Sequence, residues 1–251
     1  MPVLIKRAWF RFYAELNDFL PAEQRMVAFA HNFVDASPVK DMIESLGVPH
    51  TEIDLILVNG QSADFSYVVR DADRISVYPV FEALDIMPLV RLRPQPLREP
   101  RFVLDTHLGR LAAYLRMAGF DTLYGKNCED EELARISRDA RRILLTRDIG
   151  LLKRSMVTHG YYIRETAVRR QFPEVIRRFD LSAATRPFTR CLRCNALLDA
   201  VARTEIAGQL PPRTAEFYNE FRRCPDCRRV YWKGGHYRRM REFLASAGQL
   251  S

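Results

Sequence analysis

A chain of 251 residues, 47% hydrophobic and 28% charged, is long enough for two or three domains, each with its own core. No apolar run approaches the roughly 20 residues that span a bilayer, and residues 1–7 lack the apolar stretch and cleavage site of a secretory leader, so a cytoplasmic protein is expected. The net charge of +8 is unevenly placed: residues 1–90 carry 7 basic and 13 acidic side chains, residues 91–180 carry 19 and 12, and residues 181–251 carry 13 and 6. An acidic module therefore precedes a strongly basic remainder, whose charge attracts polyanions such as nucleic acid.

In chain order, residues 7–13 alternate bulky and basic side chains, and residues 25–33 form a second candidate strand. Ser37-Pro38 opens a helix, with Ser as N-cap and Pro at the first helical position. Val39, Met42, Ile43 and Leu46 give its apolar stripe and Gly47 its end. Residues 53–58 read as a strand running into an Asn59-Gly60 turn, and residues 73–79 as the last strand. Strands around one helix in about 80 residues imply a small α+β domain. Through Val58-Asn59-Gly60 and Asp73-Arg74-Ile75-Ser76-Val77-Tyr78-Pro79 it resembles the β-grasp, ubiquitin-like sulfur carriers of thiamine and molybdopterin synthesis. Those carriers end in a Gly-Gly tail, whereas Val80-Phe81-Glu82-Ala83-Leu84 follows here. A binding or scaffolding module is expected instead.

Residues 89–100, with three prolines, read as an extended linker. Beyond it the pattern becomes strand–helix alternation. Residues 101–104, 120–124, 142–147 and 161–163 are strands; helices follow with Leu108, Leu111, Ala112 and Leu115, then with Leu133, Ile136 and Ala140, and finally over residues 168–179. Repeated βα units of this length imply a parallel sheet flanked by helices. The expected layout is an α+β module over 1–88, the linker over 89–100, an α/β domain over 101–180 and a cysteine-bearing tail over 181–251.

Ligands of open α/β sheets bind outside the carboxyl ends of the strands. Asp105 and Asp148 each follow an apolar strand directly, and Asp130 opens the helix after the second one. Three carboxylates at one rim repel one another unless a cation intervenes. Mg²⁺ and Mn²⁺ prefer such oxygen ligands, polarise phosphodiesters and activate water. Asp130 is the first choice within the cluster Glu129-Asp130-Glu131-Glu132 and Glu131 the second, since helical spacing does not decide between them. An Asp in these places also serves as a helix cap. Arg110, Arg116 and Arg147 lie close in sequence and suit phosphate oxygens, or else pair with surface carboxylates.

Cys191-Leu192-Arg193-Cys194 and Cys224-Pro225-Asp226-Cys227 are two CxxC knuckles separated by 29 residues. Four thiolates from two knuckles make a closed tetrahedral Zn²⁺ site, structural rather than catalytic. After it, residues 228–239 interleave aromatics with cations, a pattern that suits unpaired RNA bases beside phosphates. Tyr231 and Trp232 serve equally as the small core over the knuckle.

Residues 101 to about 243 closely resemble the prokaryotic RNase module named after the C-terminal domain of the Mut-seven exonuclease. The matching residues are Asp105 with Leu108-Gly109-Arg110-Leu111-Ala112, Leu115-Arg116, Gly119-Phe120-Asp121-Thr122 and Ile143-Leu144-Leu145-Thr146-Arg147-Asp148. The zinc end matches through Cys191-Leu192-Arg193-Cys194-Asn195, Cys224-Pro225-Asp226-Cys227 and Val230-Tyr231-Trp232-Lys233-Gly234-Gly235-His236. The resemblance implies a PIN-like nuclease domain with a fused zinc ribbon, often preceded by a ubiquitin-like domain. It further implies Asp105, Asp130 and Asp148 as catalytic ligands of Mg²⁺ or Mn²⁺. Two positions depart from the family pattern: Thr106-His107 follows the first Asp, and Gly234-Gly235-His236 replaces Gly-Ser-His. The expectation is a metal-dependent ribonuclease acting on single-stranded or structured RNA, with Arg110, Arg116 and Arg147 on the substrate and Cys191, Cys194, Cys224 and Cys227 on structural Zn²⁺. The rival is a non-catalytic RNA-binding or adaptor protein.

Overall fold

The computed structural model describes residues 4–79, 92, 99–125, 127–211 and 214–248. The expected linker and the segment after Pro79 lie almost wholly outside the described residues. The N-terminal elements are β1 (Lys6–Phe12), β2 (Phe29–Phe33), α1 (Val39–Ser45), β3 (Ile53–Val58), β4 (Gln61–Ala63) and β5 (Arg74–Pro79). They continue as β6 (Phe102–Leu104), α2 (Gly109–Met117), β7 (Thr122–Tyr124), α3 (Asp130–Asp139), β8 (Ile143–Thr146), α4 (Ile149–Leu152), β9 (Gly160–Tyr162) and α5 (Val168–Arg178). The tail holds β10 (Asp199–Val201), α6 (Arg203–Ile206), α7 (Thr214–Phe217), β11 (Phe221–Arg223), β12 (Val230–Trp232) and α8 (Gly235–Gly248). Among the described residues, no helix is long and apolar enough to cross a membrane.

By contacts the chain divides into two compact units, neither contiguous in sequence. The first joins the N-terminal residues to 129–162; the second joins 99–128 to the remainder. In the first, strands run in the order β2-β1-β5-β3-β4, with the central pair β1 and β5 parallel and the others antiparallel, a β-grasp sheet. Alternation along β1 turns Ala8, Phe10 and Phe12 inward, where they meet Val39 and Ile43 of α1. The hairpin between β3 and β4 turns on Asn59 (φ 52°) and Gly60 (φ 84°), the pair of left-handed residues that a tight two-residue turn requires.

Two local expectations are corrected. Ser37 does not cap α1. The N–H groups of Val39 and Lys40 donate instead to the carbonyls of Tyr67 and Phe65, and Pro38 bridges Val68. Of residues 25–33, only Phe29–Phe33 is strand. The preceding stretch is held by side-chain bonds, Arg25 Nε to Leu20 O and Met26 N to Asn17 Oδ1, with Met26 at φ 60°.

The same unit contains the parallel pair β8–β9, with α3 and α4 against it. The turn before β3 packs on β9 through named bonds. His50 contacts Glu44 Oε1 through Nδ1 (2.6 Å) and Val157 O through Nε2 (2.9 Å), and Tyr162 N donates to Glu52 Oε1 (2.7 Å). Lys153 Nζ donates to Glu44 O, and the Phe19 and Tyr162 rings meet edge to face at 5.3 Å. Glu52 is 1% exposed, so a buried carboxylate here receives a strand N–H.

The second unit holds the parallel pair β6–β7, with α2 packed on β7 and α5 on α2, and the antiparallel sheet β10-β11-β12. Tyr114 of α2, Phe172 of α5 and Phe243 of α8 form one aromatic cluster, with centroids 4.6–6.2 Å apart.

Candidate functional site

Asp105 stands directly after β6, half-buried, at the start of a single 3₁₀ turn. Its Oδ1 accepts the Thr106 N–H at 2.5 Å. The turn is fixed from below by Tyr124 Oη donating to Thr106 O (2.7 Å) and by Gly125 N donating to Leu104 O (3.2 Å). Asp148 stands two residues after the end of β8, past Arg147, exposed, as the N-cap of α4. Its Oδ1 accepts from Gly150 N (2.6 Å) and Leu151 N (3.2 Å), while its own N–H donates to Thr146 Oγ1 (2.9 Å). Asp130 is the first residue of α3, half-buried, with Oδ2 4.0 Å from Arg154 Nη2. Asp130 and Asp148 belong to the first unit and Asp105 to the second.

The capping bonds bear on the choice between cap and ligand. Asp105 Oδ1 accepts one capping N–H and Asp148 Oδ1 accepts two. A carboxylate offers about four acceptor sites, so capping and cation binding are compatible in one side chain. Carboxylate oxygens are hard donors, of the kind that suits Mg²⁺ or Mn²⁺ rather than a soft metal. Arg110 is exposed on α2, and the Arg147 guanidinium lies 5.9 Å from the centroid of the Tyr162 ring.

The cysteines form the second centre. All four sulfur atoms lie within 4.8 Å of one another, with Cys191 Sγ 3.5 Å from Cys227 Sγ and Cys194 Sγ 3.3 Å from Cys224 Sγ. A tetrahedral ZnS₄ shell with bonds of about 2.3 Å has edges of about 3.8 Å, so the soft donors and their spacing fit Zn²⁺. Both knuckles share one backbone design. Cys191 N donates to Ala196 O and Asn195 N to Cys191 O; likewise Cys224 N donates to Arg229 O and Arg228 N to Cys224 O. The residue after each second cysteine is left-handed, Asn195 at φ 76° and Arg228 at φ 62°. Burial raises the Cys191 thiol, but hydrogen bonds from the Tyr231 hydroxyl and from the Cys194 and Arg193 N–H groups outweigh it, to about 6. Burial pushes Cys194 up to about 12.

Arg116 has a different setting from the surface position expected of a phosphate ligand. It is 7% exposed. Nε donates to Thr122 O (2.9 Å) and Nη1 donates to Leu192 O (3.1 Å) and Arg193 O (2.8 Å), both inside the first knuckle. Asn195 completes the joint: Oδ1 accepts from Thr122 N (2.9 Å) and Nδ2 donates to Asp121 Oδ1 (2.8 Å). Arg190 Nε donates to Gly119 O (3.1 Å). Gly119 itself is at φ 99°, and a Cβ there would stand 2.2 Å from Arg186 O. The zinc knuckle and the α2–β7 turn are thus one bonded assembly. Sequence reading missed it, although Asn195 beside Cys194 was its one visible trace.

The two aromatics of β12 both line one cleft but differ in their other contacts. Tyr231 packs on the cysteine cluster, with its hydroxyl 3.1 Å from Cys191 Sγ and accepting from Leu192 N. Trp232 is half-buried and lines a cleft with Phe188 and Tyr237.

Two family models match the chain: the Mut7-C RNAse domain over residues 100–244 and the Mut7-C ubiquitin domain over residues 5–85. No curated protein and no solved structure matches it.

Proposed function

This chain belongs to the Mut7-C RNAse domain family, with the family's ubiquitin-like domain ahead of it, and on that premise we propose that it is a metal-dependent ribonuclease. The observation that carries the proposal is the pair Asp105 and Asp148. Asp105 directly follows β6 and Asp148 comes two residues after β8, both parallel strands; Oδ1 accepts one backbone N–H at Asp105 and two at Asp148. In this reading Asp105, Asp130 and Asp148 hold Mg²⁺ or Mn²⁺, with Glu131 as the other choice within the acidic cluster. The bound cation supplies Lewis-acid polarisation of the phosphodiester and activates water for attack. The capping bonds fix the two strand-end carboxylates in orientation before substrate arrives, which lowers the reorganisation needed in the transition state. Arg110 and Arg147 neutralise charge on the phosphate, while Arg116 works on the zinc knuckle. The Cys191, Cys194, Cys224 and Cys227 site holds structural Zn²⁺ and shapes the ribbon that assists RNA binding.

One observation favours the rival reading, a non-catalytic RNA-binding protein. Both strand-end aspartates do make capping bonds, the whole role that reading gives them. Cleavage assays on single-stranded and structured RNAs, with Mg²⁺ or Mn²⁺ and with Asp105→Asn beside the wild type, separate the two. Metal-dependent cleavage lost in the variant is expected. Salt-sensitive RNA binding with no turnover in any metal favours the rival.

A further inference from the structure

Beside the zinc ribbon is a cleft of ≈ 420 Å³, within the range of small-ligand sites. Aromatic residues from four segments line it: Phe188 before the first knuckle, Phe221 on β11, Tyr231 and Trp232 on β12, and Tyr237 on α8. The Phe188 and Tyr237 rings lie 4.3 Å apart, tilted by 42°. Phe188 reaches this place at φ 60°, a backbone region in which a bulky side chain is strained, held by its N–H bond to Met117 O (2.8 Å). Trp232 is the aromatic of the β12 pair that does not belong to the cysteine core.

The charge around these rings is positive. Arg190, Arg222 and Lys233 line the cleft against one acid, Glu220, which pairs with Lys233; Arg222 is exposed. Arg228, Arg229, Arg238 and Arg239, all exposed, stand on the adjoining knuckle and helix. An aromatic-lined cleft with cations at its edge matches a planar base carrying a phosphate. A base inside a duplex has both faces covered by its neighbours and cannot stack in such a cleft.

We propose that this cleft takes one unpaired base of the RNA, stacked against Trp232, with the adjoining phosphates at Arg222 and Lys233. The proposal rests on the reading of the protein as RNA-directed, but it does not require cleavage. It makes the ribbon a selector for single-stranded segments rather than a passive basic surface.

The test uses the full-length, zinc-loaded protein in buffer without Mg²⁺ or Mn²⁺, so that binding is read apart from turnover. The chain has two tryptophans, Trp9 and Trp232, so Trp9→Phe leaves Trp232 as the sole indole reporter. Single-stranded RNA should quench its fluorescence, and a matched duplex should not. In anisotropy titrations Trp232→Ala should weaken single-strand binding roughly tenfold, the loss of one base stack. Its zinc content should stay at wild-type level, and Trp232→Phe should restore most of the affinity. A strand of abasic nucleotides should bind wild type and Trp232→Ala alike. Equal single-strand affinity for Trp232→Ala and wild type, with zinc intact, overturns the proposal and assigns the cleft to an occupant other than an RNA base. Quenching of Trp232 in a protein that cleaves nothing sustains it while the nuclease reading fails. Cleavage indifferent to Trp232→Ala, with unquenched indole, has the reverse meaning.

Discussion

Replacing Arg116 with Met separates a structural arginine from a substrate arginine. The guanidinium makes three hydrogen bonds, at 2.8, 2.9 and 3.1 Å, and two of them end on carbonyls inside the first zinc knuckle. Hydrogen bonds from a charged donor contribute about 1.5–3 kcal/mol each, though not additively. Methionine fills much of the volume, removes the desolvation penalty of the buried cation and leaves three carbonyls without that donor. The net loss is about 3 kcal/mol. Burial lowers the Arg116 pKa and the neighbouring Cys191 and Cys194 sulfurs raise it, so the cation also offsets thiolate charge. Because folding of a ribbon is coupled to its metal, the loss falls on zinc affinity, which should drop about 100-fold. Competition of the full chain against a chelator of known affinity measures it. A variant that keeps wild-type zinc affinity yet binds RNA weakly would refute this reasoning and return Arg116 to the substrate.

Three further outcomes follow from the packing. Gly119→Ala forces a Cβ to within 2.2 Å of a backbone carbonyl at φ 99°. It should destabilise the second unit by more than about 2 kcal/mol, seen as a lowered urea midpoint. Glu52→Ala leaves the Tyr162 N–H without its 2.7 Å acceptor in a buried setting, a loss of about 1–3 kcal/mol. Faster amide exchange at Tyr162 reports it, and unchanged exchange would show that Glu52 does not hold β9. His50→Ala removes contacts to both Glu44 and Val157 and should accelerate exchange in the same strand.

What the sequence made legible was local. The Asn59-Gly60 hairpin, the alternation along β1 and the two CxxC knuckles each depend on residues within a few positions, and each was found where expected. What stayed hidden depended on partners far along the chain. Ser37 looked like a cap because nothing in its neighbourhood revealed that Tyr67 and Phe65 supply the carbonyls. Arg116 looked like a surface cation because its acceptors, Leu192 and Arg193, are 76 and 77 residues away. The grouping of residues 129–162 with the N-terminal sheet rests on contacts such as His50 to Val157, separated by 107 positions. The strand-end aspartates were legible in place but not in role, since a cap and a cation ligand need the same residue type.

Asp148→Asn resolves that role directly. Asparagine keeps a carbonyl oxygen where Asp148 Oδ1 now accepts from Gly150 N and Leu151 N, and Asn and Asp cap helices about equally well. The melting temperature and zinc content should therefore stay near wild type. Cleavage of RNA in Mg²⁺ or Mn²⁺ should fall by at least about 100-fold, because even outer-sphere partners of metal ligands matter 10–100-fold. Turnover at the wild-type rate in a folded Asp148→Asn protein would contradict the assignment and leave Asp148 a helix cap alone.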